Sequence, residues 1–261
     1  MTEPFTLLAL PLLWPLFPAS MLFNALIEHL RFPQLRAMLT IFWPLAGVML
    51  LPAAGFSEAL AALPLHVPNA ALPAVALFTA LFYAWRSLTV NNLSRWSALI
   101  CTSALALLWL PWSAGAHRAD LATTALALAS SCAVLHLVGL ALTRRFGSDY
   151  LGHRRVGQAH PLMAAMLAVS VLAALCAPPF PGFFSMLFIA THTPWWAQAG
   201  AAVVWWLWSW SGARLWQRAF YGEAVAEMHA RDLGAGTCAM AGVLASTISV
   251  AAYAWSTTWM R

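Results

Sequence analysis

Eight apolar stretches govern what this chain can fold into. They run over roughly residues 5–27, 37–63, 69–90, 96–115, 119–143, 161–177, 196–220 and 236–258. A bilayer crossing takes about 20 predominantly apolar residues. Backbone polar groups have no water to bond in hydrocarbon, so such runs fold as helices. The expected fold is all-α: a polytopic membrane protein of about eight transmembrane helices. Composition agrees, with 62% hydrophobic and only 8% charged residues, against about 25% charged in soluble domains. The fifteen Trp fit interfacial belts, where an amphipathic ring is favoured.

The sixth stretch does not end cleanly. It runs into Ala177-Pro178-Pro179-Phe180-Pro181-Gly182-Phe183-Phe184-Ser185. Proline removes backbone donors and clashes with the preceding turn, and glycine permits unusual dihedrals. Pro178, Pro179, Pro181 and Gly182 therefore mark a broken helix. In a membrane protein such a break is tolerated only where protein or a wet cavity receives the freed backbone groups. The piece 182–193 is too short to cross and reads as a half-helix or re-entrant segment. Pro11, Pro15 and Pro18 predict a kinked first span, and Pro44 and Pro52 interrupt the second.

All thirteen basic residues are Arg. Eleven fall in loops on one side: Arg31, Arg36, Arg86, Arg95, Arg144, Arg145, Arg154, Arg155, Arg214, Arg218 and Arg231. Arg118 and Arg261 fall on the other. Basic residues concentrate in cytoplasmic loops. The expected location is thus a bacterial-type inner membrane, multi-pass, with both termini outside the cytoplasm. The formal charge of +5 speaks to topology rather than to nucleic acid, and no nucleic-acid partner is expected. The loop His153-Arg154-Arg155 sets orientation and offers a contact for acidic lipid or a soluble partner. Cys101, Cys132, Cys176 and Cys238 lie in apolar runs without metal-type spacing, so they read as packing thiols. Glu3 and the missing basic n-region argue against a cleaved signal peptide.

Four motifs carry a resemblance. Asn92-Leu93-Ser94-Arg95-Trp96-Ser97-Ala98 resembles a D-x-K-R-x-x-A-Y-S helix start. The helix ending Ala141-Leu142-Thr143-Arg144-Arg145-Phe146-Gly147 resembles one that carries H-A-x-x-K and ends in a G-T-R-D-type turn. Ala174–Ser185 resembles an A-G-L-P-P-L-S-G-F-x-S-K break. Arg214 to Glu223 resembles an R-x-x-x-x-x-F-F-G-E helix end. Together they resemble the antiporter-like, proton-conducting membrane subunits of complex I, Mrp antiporters and related assemblies. That family implies about fourteen spans in two inverted repeats. The chain matches the second repeat. The implied division is N-terminal transmembrane helices of unclear relationship over 1–68, an antiporter-like half-repeat over 69–222, and a loop with a last helix over 223–261.

The departures bear on mechanism. The resemblance implies protons passing along buried lysines, yet the chain has no Lys. The central-helix Lys falls at Cys132, its companion His at Leu128, and the Lys after the break at Met186. Arg stays protonated and cannot substitute. The remaining relay candidates are His136, Glu28, His29 and His192. His136 is the only ionisable residue well inside an expected span, one turn after Cys132 with Ser130 and Ser131 nearby. Imidazole titrates near neutrality and can pass protons; the alternative is a neutral structural histidine bonded to a carbonyl or serine. Glu28 and His29 end the first span beside Arg31, either as a snorkelling ion-pair cluster or as an entry point. His192 precedes Pro194-Trp195-Trp196 at an interface or at a gate to the broken helix. Trp205, Trp208 and Trp216 repeat at helical spacing and read as a packing or lipid-facing stripe. Glu223, Glu227, His229 and Asp232 read as a solvated loop.

No nucleotide, flavin or iron–sulfur motif is present, and neither a cofactor nor a bound metal is expected. The resemblance implies a subunit that works with other subunits of a membrane complex. One setting is DAB-type energy-coupled inorganic-carbon uptake, with a zinc-containing soluble partner. The other is a complex I-like or membrane-hydrogenase-like proton-pumping assembly, with redox partners. In either, catalytic chemistry belongs to another chain, and this subunit is proton-conducting or a degenerate scaffold. A haem b anchor would need two His facing each other at membrane depth, and only His136 qualifies.

Overall fold

The computed structural model describes residues 11–12, 14–30, 32–51, 70–151 and 160–221. The loop His153-Arg154-Arg155, Glu223, Glu227, His229, Arg231, Asp232 and the last apolar stretch lie outside the described residues, as do parts of the first two stretches. All regular structure described is helical, apart from one isolated antiparallel bridge between Asn92 and Tyr150. The helices are α1 (Ser20–His29), α2 (Pro33–Met49), α3 (Ala71–Ser87), α4 (Leu93–Ala106), α5 (Trp109–Ser113), α6 (Arg118–Phe146), α7 (Pro161–Ala174), α8 (Pro181–Thr191) and α9 (Trp195–Tyr221).

The core is built around α4. Apart from Arg95, all of its residues are buried. A helix apolar on all sides has no solvent face to present, so its neighbours must surround it; here α1, α3 and α6 do so. Its few polar groups are spent on neighbours. The Trp96 indole donates to Ser211 Oγ at 3.1 Å, and the Trp208 indole donates to Ser103 Oγ at 2.9 Å. Two reciprocal Trp–Ser bonds thus clasp α4 to α9. Ser103 Oγ donates on to the Ala80 carbonyl of α3, and Thr102 bonds Asn24 of α1.

The helix ends near Ala106 rather than at about residue 115. Pro111 has no N–H to offer the Leu107 carbonyl and its ring crowds that turn. The chain passes through i→i−3 bonds at Leu107, Leu108 and Leu110 before α5 resumes. The α4–α5 unit, Leu93–Ser113, and α6 are long and apolar enough to cross a membrane by length and composition.

The proline-rich break sits at mid-length of its neighbours. The Leu175 carbonyl accepts from the Trp205 indole at 2.8 Å, and Cys176 lies within electrostatic range of Cys132. Cys132 is the middle of α6, and Trp205 lies well inside α9. α7 and α8 both pack along α6 and α9 with little contact between themselves. They are two short rods in one groove.

The joint is well bonded. Cys176 N–H reaches the Ala173 carbonyl and Ala177 N–H reaches the Leu172 carbonyl. This is the Schellman pattern, which caps helices with a left-handed residue. That residue is Cys176, at φ 55°, where glycine is usual. Pro178 and Pro179 form the turn, and the Pro178–Pro179 bond is cis. Pro181 and Gly182 open α8, with Pro181 at a first-turn position that tolerates a missing donor. A Cβ on Gly182 would lie 2.7 Å from Cys176 Sγ, so the close approach demands glycine.

Outward faces are apolar. On α2, Leu35, Met38, Phe42 and Met49 form an exposed stripe at helical spacing, and on α9 Trp206 packs edge-on against Trp210, both exposed. Inward, Trp205 and Trp208 of the same helix make the bonds above. Apolar side chains in contiguous outward stripes are what a bilayer solvent selects and water does not.

Candidate functional site

Charge is sorted to the ends of the helices. At one end stand Glu28, Arg36, Arg86 and Arg95, and Asp149 joins Arg95's helix start. Arg118, at the opposite end of α2, donates to the Met49 and Leu51 carbonyls. Between the two ends, at mid-length of α6, lies His136.

Three α6 residues at i, i+4 and i+7, Cys132, His136 and Gly139, share a face. Ser97 of α4 donates to the Cys132 carbonyl at 2.9 Å. Ser94 Oγ lies 3.0 Å from where a Gly139 Cβ would stand. The start of α4 therefore covers this face on both sides of His136. From the other side comes α2, the most extensive partner of α6. His136 is 0% exposed. Neither Nδ1 nor Nε2 has a hydrogen-bond partner among the described residues. Leaving buried polar groups unpaired costs about 1–3 kcal/mol, and such groups in a native fold call for an explanation.

A cavity of ≈290 Å³ lies at the charged end. It is lined by Ile27, Glu28, Arg36, Asn92, Ser94 and Arg95. At its mouth Arg95 Nε pairs with Glu28 Oε1 at 3.0 Å. The pair is roughly two-fifths exposed, so it contributes little to stability and remains open to solvent. Arg36 is held by its Nε on the Leu30 carbonyl at 2.7 Å and its Nη2 on the Glu28 carbonyl at 3.2 Å. Ser94, on the cavity wall, lies beside Gly139, which is one helical turn along α6 from His136. The cavity thus reaches the α6 face of His136 through Ser94.

The start of α4 is held in place by a residue from elsewhere. Asp149 accepts the Ser94 N–H at 3.0 Å and a short bond from Asn92 Nδ2. Asn92 Oδ1 in turn accepts the Arg95 N–H. A carboxylate on a helix N-terminus satisfies free donors and complements the dipole. Leu93 N–H to the Asp149 carbonyl and Leu151 N–H to the Asn91 carbonyl complete a backbone strap. Arg36 and Asp149 carry no local sequence signal for these roles, because both act across long chain separations.

The other relay candidates stand apart. His29 is exposed, with Nδ1 at 2.7 Å from the Ala25 carbonyl one turn back; Glu28 faces Arg95, and Arg31 lies outside the described residues. His192 follows α8, stacked on Phe188 at 4.2 Å between ring centroids, its Nδ1 at 3.0 Å from the Phe188 carbonyl. Pro178, Pro179, Pro181 and Gly182 form the joint between α7 and α8, where Gly182 abuts the Cys176 thiol. Cys101, Cys132 and Cys176 are all buried and unbridged, and the Cys101 and Cys132 side chains meet. Met186 is buried as well. Among the described residues no group of three His, Cys, Asp or Glu is placed to hold a metal ion. His160, at the start of α7, is a second buried imidazole without a hydrogen-bond partner among the described residues, against the Phe146 ring.

No protein-family model matches the sequence, and no curated protein matches it. Solved structures do match. The fold is similar to a chain of respiratory complex I from Thermus thermophilus with bound NADH, with TM-score 0.76 and 21% identity over 95% of this chain and 54% of that one. It is similar to a chain of the membrane-bound sulfane sulfur reductase, an archaeal respiratory membrane complex, with TM-score 0.72 and 19% identity over 95% and 52%. It is also similar to a chain of the Mrp complex from Dietzia sp. DQ12-45-1b, with TM-score 0.72 and 19% identity over 88% and 44%. The chain spans about half the length of each. At these identities the likeness is one of fold.

Proposed function

We propose that a chain with the fold of half such a membrane-complex chain is itself a membrane-embedded, antiporter-like subunit of a multisubunit, ion-coupled assembly, and that His136 is its proton-handling group. The observation that carries this reading is the fully buried imidazole with both nitrogens unpartnered among the described residues. A structural histidine would be bonded to a carbonyl or hydroxyl. A relay histidine keeps its nitrogens for water and for the proton it passes. The Glu28–Arg95 cavity is the entry from the arginine-rich, cytoplasmic side. Ser94 and Arg36 line that cavity; in this reading Ser94 is a hydrogen-bond step toward the imidazole and Arg36 a fixed positive charge. The break at mid-length of α6 and α9 is the discontinuous helix that such folds place at membrane depth. Residues 69–222 form the antiporter-like half-repeat, with the termini outside the cytoplasm.

The favoured setting is DAB-type inorganic-carbon uptake, which needs only one such subunit and pairs it with a zinc-containing soluble chain. That preference rests on analogy. Fold likeness to chains of respiratory complexes supports a complex I-like or membrane-hydrogenase-like assembly instead. Co-purification in mild detergent separates them: a zinc-binding soluble partner indicates carbon uptake, and iron–sulfur subunits indicate electron transfer.

A docking subunit without an ion path has its own support. Cys132 and Met186, where the resemblance puts ammonium groups, are apolar and buried. His136→Ala in the assembled complex distinguishes the readings. Lost ion-coupled activity with intact assembly is the expected result, and unchanged activity would leave the scaffold reading standing.

A further inference from the structure

A second cavity lies beside the first, on the outer side of Arg95. It measures ≈380 Å³ and is lined by Arg86, Thr89, Val90, Asn91, Asn92, Arg95 and Tyr150. Two guanidiniums line it and no carboxylate does. Arg95 is already paired with Glu28. Arg86 has no carboxylate partner among the described residues; its guanidinium carbon lies 5.9 Å from the Phe82 ring centroid. The rest of the lining is neutral: Thr89 donates to the Arg86 carbonyl, and Asn92 is held between Asp149 and the Arg95 N–H. Asn91 donates through Nδ2 to the Tyr150 hydroxyl at 3.3 Å, while its buried Oδ1 has no partner among the described residues. A half-open recess lined by two guanidiniums and no carboxylate suits a phosphate group. Its volume falls in the lower range of small-ligand sites, larger than a bare phosphate requires.

The surface leading to the recess says what else the ligand carries. Phe78, Phe82 and Trp85 of α3 lie at i, i+4 and i+7 on one face, which the Phe17 ring extends by packing edge-on against Phe78 and Phe82. Phe78 is 55% and Trp85 65% exposed, and the Phe78 and Phe82 rings stack at 6.3 Å. This aromatic track runs up α3 and stops at Arg86, one turn beyond Phe82. Tryptophan beside arginine at a helix end is the pattern of a membrane interface. An apolar track below a cationic recess at interface height matches an acyl chain below a phosphate.

We propose that this recess binds the phosphate headgroup of an anionic phospholipid, with Arg86 as its principal cation and one acyl chain along Phe78, Phe82 and Trp85. Tyr150 and Asn91 meet the headgroup hydroxyls. Arg86 and Tyr150 line only this cavity, whereas Asn92 and Arg95 line both, so the variants below are placed at Arg86 and Tyr150.

Native mass spectrometry of the delipidated full chain, titrated with phosphatidylglycerol, phosphatidylcholine or inorganic phosphate, tests this. One phosphatidylglycerol should bind in preference to phosphatidylcholine. Arg86→Gln should weaken that binding by about tenfold, the factor one charge-assisted hydrogen bond supplies. Arg86→Lys should fall between, keeping charge but losing the planar fork. Lipid-free melting temperatures should be equal across the three proteins, and Tyr150→Phe gives a milder loss should the Arg86 variants unfold. Inorganic phosphate bound with the same Arg86 dependence, without lipid selectivity, would assign the recess to a soluble phosphate and overturn the lipid. Equal affinity for both lipids, or no change in any variant, would overturn the site.

Discussion

His136 and Gly182 show opposite ways in which one residue constrains this fold. His136 is fully buried with neither nitrogen partnered among the described residues, so a function would be retained at the expense of stability. His136→Leu, of similar bulk, should raise the stability of the isolated subunit in detergent by about 1 kcal/mol or more, read as a higher thermal midpoint. A histidine with a structural role would give a lower one. Gly182 is fixed by geometry. An alanine there would put its Cβ 2.7 Å from Cys176 Sγ, and forced overlap of this kind costs about 1–3 kcal/mol. Cys176 is itself at φ 55°, a conformation that glycine adopts freely. Cys176→Gly removes the clashing sulfur and leaves the new Cβ 3.4 Å from its next contacts. The double variant Cys176→Gly with Gly182→Ala should therefore recover most of what Gly182→Ala loses, a non-additivity that thermal unfolding of the four proteins would reveal.

Among the elements, α4 depends most on partners far along the chain. Asp149 caps its start, and Asp149→Ala should destabilise the protein by about 1–2 kcal/mol. Trp208→Phe should cost about 1–3 kcal/mol by leaving Ser103 without its indole donor; both losses are measurable by unfolding in detergent. These partnerships also explain what the sequence could tell. Proline chemistry is local, so the break after Ala177 and the short piece beyond it were legible, and α8 spans Pro181–Thr191. A lone ionisable residue in an apolar run is equally local, which made His136 visible. The early end of α4 was readable at Pro111 but hidden by an unbroken apolar run. The cavity was not readable at all. It joins α1, α2 and the start of α4, and only the folded packing brings Arg36, Glu28 and Ser94 to one wall. Likewise, helical spacing alone grouped Trp205 with Trp208, but could not say that Trp206 and Trp210 face outward.

The molecule as a whole has the shape of half a longer chain. Its fold likeness covers 95% of its residues but only 54% of the complex I chain, and so includes α1 and α2, to which no motif resemblance extends. Apolar stripes on α2 and α9 remain uncovered. Purification in mild detergent is expected to retain further subunits on these faces, and native mass spectrometry would register them; a chain that runs alone under conditions preserving other complexes would count against the assembly.

The jointed α7–α8 pair has a consequence for biogenesis. Neither rod, at 14 and 11 residues, has the length of an independent stop-transfer segment. The carbonyl freed at Leu175 finds its donor only when Trp205 is in place. The pair cannot settle as each rod leaves the ribosome; it must wait for the helix that follows. A nascent chain arrested before Trp195 should leave the region open to membrane quality-control proteases, whereas one arrested after Tyr221 should not.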